Sequence, residues 1–388
     1  MGRQPQNSRV LISGASIASP ALTFWLERYG FDVTVVEKAP EVRRGGQAVD
    51  FKGLTHRTVL EQMGILEDVR QARVTSNGDG IIVNATGRQV ATVPAALSGG
   101  EIEIARGDLA RILYGRTQEA CEYVFSDSVT SLTETADGIE VTFERSAPRV
   151  FDLVVGADGI HSNVRRLAFG PESEYVKHLG YYALAEIGGE VSCEDLMYNE
   201  PGRMAATGGP KAPAFFVFAS SPLQYGRDDA EQQKRLLIDA YRGGAWKIPE
   251  LMEQVRGSEG FYMDSISRVT MNRYASGRVV LLGDSTYGNT LGGFGTGLAV
   301  VGAYVLAGEL HRAQGDYLAA YARYEAKFRK YASVSQKVNA GNLLAPTSRI
   351  GLYMRNKMFS VAALFGGMMK LMDRFATDIK LDDYASEG

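Results

Sequence analysis

Short β-branched runs alternate along the chain with longer stretches of helical periodicity. Near the start, RVLIS (residues 9–13) is a continuous apolar run of the kind a buried parallel strand shows. A turn of small residues follows, then a helix to about Arg28 that stops near Gly30, then a second strand, FDVTVVE, ending in Glu37. The same strand–turn–helix order returns twice. FDLVVG (151–156) delivers Ala157-Asp158-Gly159, with a helix predicted from an N-cap at Ser162. VVLLG (279–283) delivers Asp284, a glycine-rich loop over Leu291–Gly295 and a small-residue helix from Thr296 to about Ala313. Between these units the period drops to two. LGYYALAEI, EDLMYN, GRMAATG and AFFVFAS read as antiparallel strands, with Phe216 and Phe218 on one face and Phe215 and Val217 on the other. After Ala313 the pattern is helical, with one more helix and a tail beyond Ser348. The fold class predicted is α/β: a Rossmann-like nucleotide-binding unit interleaved with an antiparallel sheet and closed by a C-terminal helix.

Composition narrows the function classes. The 388 residues allow one large domain or two intimate ones, and 45% hydrophobic with 22% charged residues is ordinary for a globular protein. A net charge of −3 gives no basic excess for nucleic acid. Two cysteines, Cys121 and Cys193, are too few for a disulfide framework, and with four histidines no metal site is expected. The start shows no apolar segment of a secretory signal. The late apolar run Met358–Met372 is too short to span a bilayer and contains Lys370. It reads as a packed C-terminal helix rather than a membrane-surface one, so a cytoplasmic protein with no membrane partner is expected.

Chemistry concentrates in the three turns. The first reads Gly14-Ala15-Ser16-Ile17-Ala18-Ser19, in which Ser16 and Ser19 replace two of the three glycines of a dinucleotide fingerprint. Ser16 adds a hydroxyl that can itself donate to phosphate, and Ser19 needs only slightly wider helix–strand packing. Pro20 is tolerated in the first helical turn. Glu37 lies 23 residues after Gly14, near the position of a ribose-binding acid, which favours a free diol as in FAD or NAD; Lys38 follows at once. Asp284 ends a strand where α/β sheets place ligands, and the helix after it points free N–H groups back at the site.

The order of these motifs, with D-G-x-x-S-x-V-R at Asp158–Arg165 and G-D at Gly283-Asp284, resembles the FAD-dependent class A monooxygenases, a family that includes para-hydroxybenzoate hydroxylase. In detail it is similar to the tetracycline-inactivating flavin monooxygenases and polyketide-tailoring hydroxylases. The likeness runs from about Val10 to Tyr331. It implies an FAD-binding domain from residues 1–73, 105–176 and 269–340, a substrate domain from 74–104 and 177–268, and a C-terminal helix and tail over 341–388. It implies that Gly14, Ala15, Ser16, Ile17, Ala18, Glu37, Lys38, Asp50, Arg106, Asp158, Asp284, Gly295, Thr296 and Gly297 hold the cofactor. Arg43 and Arg44 are candidates for nicotinamide contact, and Met204, Phe216 and Phe294 for the substrate pocket. Where many members carry Ala-Ala-His and a proline, this chain has Ser285-Thr286-Tyr287 and Thr290, changes expected to reshape the wall beside the flavin.

The resemblance further implies NADPH or NADH as a transient co-substrate, molecular oxygen, and transfer of one oxygen atom to a small molecule, with flavin C4a rather than a side chain carrying the chemistry. His161 and His178 are given no catalytic role. No charged anchor stands out among the antiparallel strands, so a polycyclic or phenolic substrate, an antibiotic or polyketide such as a tetracycline, is expected over a small aromatic acid. GAWKIP (244–249) partly matches a halogenase motif but lacks its first tryptophan. The rival readings are a flavoprotein reductase or dehydrogenase without oxygen transfer, and a flavin- or ligand-binding protein without turnover. Without the extra C-terminal domain of larger relatives, a monomer or weak dimer is expected.

Overall fold

Runs that are apolar on both faces must be covered on both faces, and the first of them takes the middle of a sheet. In the computed structural model, which describes residues 8–42, 48–74, 79–93, 102–185, 196–209, 212–258, 261–292, 295–336, 338–361 and 379–384, strand Arg9–Ser13 sits inside a six-stranded sheet. Across that sheet the order is Ala275–Ser276, Val279–Leu281, Leu153–Gly156, Arg9–Ser13, Asp32–Glu37 and Glu122–Phe125. The five strands from Val279–Leu281 to Glu122–Phe125 run parallel.

Their register decides where the site lies. Ser13 pairs with Gly156 and with Val36, and Gly156 pairs with Leu281, so four strands end in one row. The three turns read from the sequence, together with Glu37, therefore emerge side by side at one carboxyl edge. The helices that follow the first and third turns, Ala18–Arg28 and Gly295–Ala313, pack on each other. Every residue from Gly297 to Leu310 is buried, which accounts for a helix that is apolar all round instead of striped.

A second sheet has seven strands in the order Tyr262–Val269, Val176–Ala185, Ala212–Ala219, Arg203–Gly209, Leu196–Glu200, Gly80–Val83 and Gln89–Val93. It is antiparallel except where Leu196–Glu200 runs parallel to Gly80–Val83. Helices Ala230–Ala240 and Ile248–Gly257 cover one face, enclosing Phe216, Phe218 and Tyr241. The other face gathers Tyr181, Met204, Val217 and Ile266, and against it lie Leu344 and Leu291 of the glycine-rich loop. Helix Arg349–Ser360 packs on the Gln89–Val93 edge. A two-stranded pair, Ala48–Phe51 with Ile102–Ala105, and a three-stranded sheet over Val129–Phe151 complete the strands; neither was read from the sequence.

The tail returns to the nucleotide-binding unit. Tyr384 is buried over Gly308, where any side chain would collide with its ring, and its hydroxyl donates to the fully buried Glu309 at 2.8 Å. Arg323, Lys327 and Arg312 pair with the same carboxylate.

Candidate active site

Gly14 turns with φ +99°, and a Cβ there would stand 2.7 Å from the Ala157 carbonyl. The first turn and the Asp158 turn are thus pressed together, and only glycine permits it. Gly283, at φ +71°, would place a Cβ 3.2 Å from Ala18, so the third turn closes on the first helix from the other side. The result is a cradle of backbone with few side chains in it.

The polar groups around the cradle come from three of the strand ends and from the start of helix Arg106–Gly115. Glu37 accepts from the backbone N–H of Ala15 at 2.7 Å and of Ala39 at 2.8 Å, which holds its carboxylate on the first turn. Arg106 opens helix Arg106–Gly115 and donates from Nη2 to Ser16 Oγ at 3.3 Å. The hydroxyl that replaced a glycine is therefore partnered by a cation from a distant segment. Asp284 is pushed up by burial, opposed by the charge of Arg106. A Cβ on Gly295 would lie 3.3 Å from Asp284 Oδ1, which places that carboxylate against the first residue of helix Gly295–Ala313, with Thr296 in the same turn. Gly297 lies one residue further, against the buried His56 ring, where a side chain would collide.

Other predicted residues sit back from the cradle. Asp158 accepts from the backbone N–H groups of Asn163 (2.8 Å) and Val164 (3.0 Å) and from the hydroxyls of Ser162 and Ser13. Its carboxylate is occupied in shaping the loop and capping the next helix. Ser162 caps that helix as expected, accepting from Arg165 N at 3.0 Å. Ile17 and Ala18 are buried in the first helical turn. Lys38 points outward to an exposed pair with Asp228 at 3.2 Å. Asp50 lies on the short strand opposite Glu103. Arg43, Arg44 and Phe294 fall outside the described residues, as does Cys193.

Three expectations need correction. Phe216 does not line a pocket: its ring is fully buried under the outer helices, edge-on to Tyr241 at 5.4 Å. The alternation was right but does not say which face meets the glycine loop; that face carries Met204, Val217 and the half-buried Phe215 and Ala206. Ser285-Thr286-Tyr287 does not reach the wall of the cradle. All three side chains are buried in the core, Ser285 Oγ donating to Gly156 O at 2.6 Å and Tyr287 packing on Phe328. Thr290, by contrast, has a clear role. It donates its N–H to Ser267 O (3.0 Å), its Oγ1 accepts from Ser267 N (3.2 Å), and Oγ1 donates to Ser265 O (3.3 Å). A proline could make none of these bonds, and they tie the glycine-rich loop to the second sheet.

Two further residues were missed. Arg165, fully buried, donates to Ser285 O at 2.9 Å and to Ile160 O at 2.5 Å, bridging the second and third turns. His161 joins the sheets: Nδ1 meets Glu172 at 3.1 Å and Nε2 meets Asp264 at 3.0 Å. Burial lowers its pKa, but the two carboxylates outweigh burial and hold it at about 9. Only the long D-G-x-x-S-x-V-R pattern hinted at Arg165; Asp264, 103 residues from His161, left no signal. Among the described residues no cluster of His, Cys, Asp or Glu is arranged to hold a metal.

An acid on the first turn, an arginine beside it, a carboxylate at the third strand end and a long helix starting there form a donor and acceptor set suited to a dinucleotide with a polyol chain. Comparison with known proteins agrees. Residues 7–325 match the family model described as "FAD binding domain". A flavin-dependent monooxygenase of Legionella longbeachae serogroup 1 (strain NSW150) is 35% identical over 349 residues, covering 86% of this chain and 88% of the relative. An uncharacterized protein of Mycobacterium tuberculosis (strain ATCC 25618 / H37Rv) is 38% identical over 349 residues, covering 86% and 93%. The crystal structure of tetracycline destructase Tet(51) superposes with a TM-score of 0.82 at 29% identity, covering 99% of this chain and all of that one. With its cradle, its interleaved sheets and these relatives, the protein belongs to the FAD-binding class A flavin monooxygenases.

Proposed function

We propose that this protein uses NADPH or NADH and molecular oxygen to insert one oxygen atom into a polycyclic or phenolic small molecule of the polyketide type. The observation that carries this reading is the pairing of the cradle with an apolar patch of the second sheet: Met204, Val217 and Phe215 cluster with Leu291 of the glycine-rich loop. Such a wall suits a broad, weakly polar ring system better than a small acid. The close structural likeness to a tetracycline destructase supports the same substrate class.

The chain's own residues divide the work of holding FAD. Glu37 would take the ribose diol, Ser16 and Arg106 the pyrophosphate, and Asp284 the ribityl hydroxyls. The start of helix Gly295–Ala313, with Gly295, Thr296 and Gly297, offers free N–H groups and a positive end to the flavin ring. Bound there, FAD supplies the two-electron chemistry that activates oxygen. Thr290 and His161 fasten the second sheet to the nucleotide-binding unit, which would help exclude water from a bound flavin. Arg43 and Arg44 are assigned to the phosphates of the visiting nicotinamide.

The test is to reduce the FAD-loaded protein anaerobically with NADPH and with NADH. It is then mixed with aerated buffer and a panel of polycyclic phenols, and the products are weighed. A product one oxygen atom heavier is expected with at least one compound. Return to oxidised flavin with only hydrogen peroxide released, across the panel, would overturn the proposal.

A further inference from the structure

Helix Arg349–Ser360 has two unlike faces. One is fastened to the substrate sheet. Arg355 is buried and donates to the carbonyls of Leu343 (3.1 Å) and Leu344 (3.3 Å) and to Asn199 Oδ1 (2.7 Å), and Phe359 packs into a cluster with Ile82, Ala91 and Val93. The other face is apolar and open to solvent. Ile350 is 77% exposed, Tyr353 60% and Met354 61%, and Met358 and Val361 are exposed as well. Their positions, 350, 353, 354, 358 and 361, follow the spacing of a single helical stripe. This is an inverted surface helix: its polar anchor points inward and its greasy side outward. A contiguous apolar patch of this kind marks a surface that something covers.

Charge identifies the cover. Residues 338–361, which carry the stripe, contain no Asp or Glu, and of their three cations Arg355 is buried while Arg349 and Lys357 are exposed, although the whole protein carries −3. Lys357 lies within the stripe, its ammonium over the Tyr353 ring at 5.7 Å, and Arg349 stands exposed at the helix start. A second copy of this face would bring like charges together with no acid to match them. An anionic bilayer would take the apolar side chains below its headgroups, with Lys357 and Arg349 at phosphate level.

We infer that the exposed face of helix Arg349–Ser360 docks this protein on the surface of an anionic phospholipid membrane, without spanning it. The helix is fastened to the Gln89–Val93 edge of the substrate sheet, so docking would hold that edge close to the lipid. Docking departs from the sequence-based expectation of no membrane partner and stands independently of the proposed reaction; the run Met358–Met372, expected as a packed helix, lies outside the described residues beyond Val361.

The experiment is flotation of the FAD-loaded full chain with phosphatidylcholine vesicles, with and without about a third phosphatidylglycerol. Wild type is expected to float with the anionic vesicles at low salt, to float poorly with phosphatidylcholine alone, and to be released by high salt. Lys357→Glu should weaken binding about tenfold. The double variant Ile350→Asp with Met354→Asp should abolish it while flavin content and thermal midpoint stay unchanged, because these side chains are exposed. Failure of wild type to float would overturn the proposal, as would floating that ignores both variants. So would a wild-type dimer that the double variant splits, which would make a second copy the occupant. A double variant with a midpoint several degrees lower would also overturn it, since the stripe would then be covered by the chain's own residues.

Discussion

At Gly14 a single hydrogen in place of a side chain decides whether two strand ends can meet. Its φ of +99° and the 2.7 Å approach to Ala157 O act together. Gly14→Ala is expected to cost about 1–3 kcal/mol through backbone strain alone and to leave the purified protein short of flavin, read from absorbance at purification. Arg106 makes the complementary case. Its removal leaves Ser16 without its partner and Asp284 without the charge that opposes burial. Arg106→Ala should weaken FAD binding about 10- to 100-fold, the worth of one charged hydrogen bond, in a titration of the apoprotein. Gly14 could be picked from the sequence because motif spacing names it, and Arg106 because the family resemblance implies it. Asp158 could be picked too, yet its carboxylate turned out to be occupied by Ser162, Asn163 and Val164, a local choice that spacing does not reveal.

For strands and helices, periodicity was a good guide wherever one element is covered in one way. The three strand–turn–helix units, the cap at Ser162 and the helix Gly295–Ala313 stand within a residue or two of where the pattern puts them. Alternation also separated Phe215 and Val217 from Phe216 and Phe218. It could not say which set faces the glycine loop, because that depends on where helices Ala230–Ala240 and Ile248–Gly257 pack. Thr290 shows a similar gap: it was read as a missing proline and is a staple between two elements. Thr290→Val keeps the shape and removes both side-chain bonds. It should cost about 1 kcal/mol each, lower the thermal midpoint by a few degrees and loosen substrate binding more than flavin binding.

Across the whole molecule ion pairs join the two sheets and the tail is fastened to the nucleotide-binding unit, and neither was legible in advance because the partners are far apart in sequence. His161 titrates at about 9 when folded against 6.5 ordinarily, so its contribution to stability is fully present below pH 6.5 and is lost as pH rises through about 9. Glu172 runs the other way. Burial raises its pKa, but His161 and Arg227 bring it down to about 2, so its contribution is present above pH 4.5 and fades as pH falls toward 2. A plot of thermal midpoint against pH should therefore slope down between pH 6.5 and 9 more steeply in wild type than in His161→Gln; equal slopes would remove His161 as the cause. The tail is fastened at Tyr384, and Tyr384→Ala should cost about 3–5 kcal/mol by emptying a filled site over Gly308 and unbinding the Glu309 cluster.

The row formed by Ser13, Val36, Gly156 and Leu281 also sets a timetable. On the ribosome the chain emerges from its N-terminus, and the strand at Arg9–Ser13 waits for a neighbour that appears some 140 residues later, then for a third wall nearly 130 residues after that. At about 5–20 residues per second, that is on the order of ten seconds or more with the cradle half built. Until helix Gly295–Ala313 has cleared the tunnel, the nascent protein has no complete place for its flavin, and capture of the cofactor follows that point.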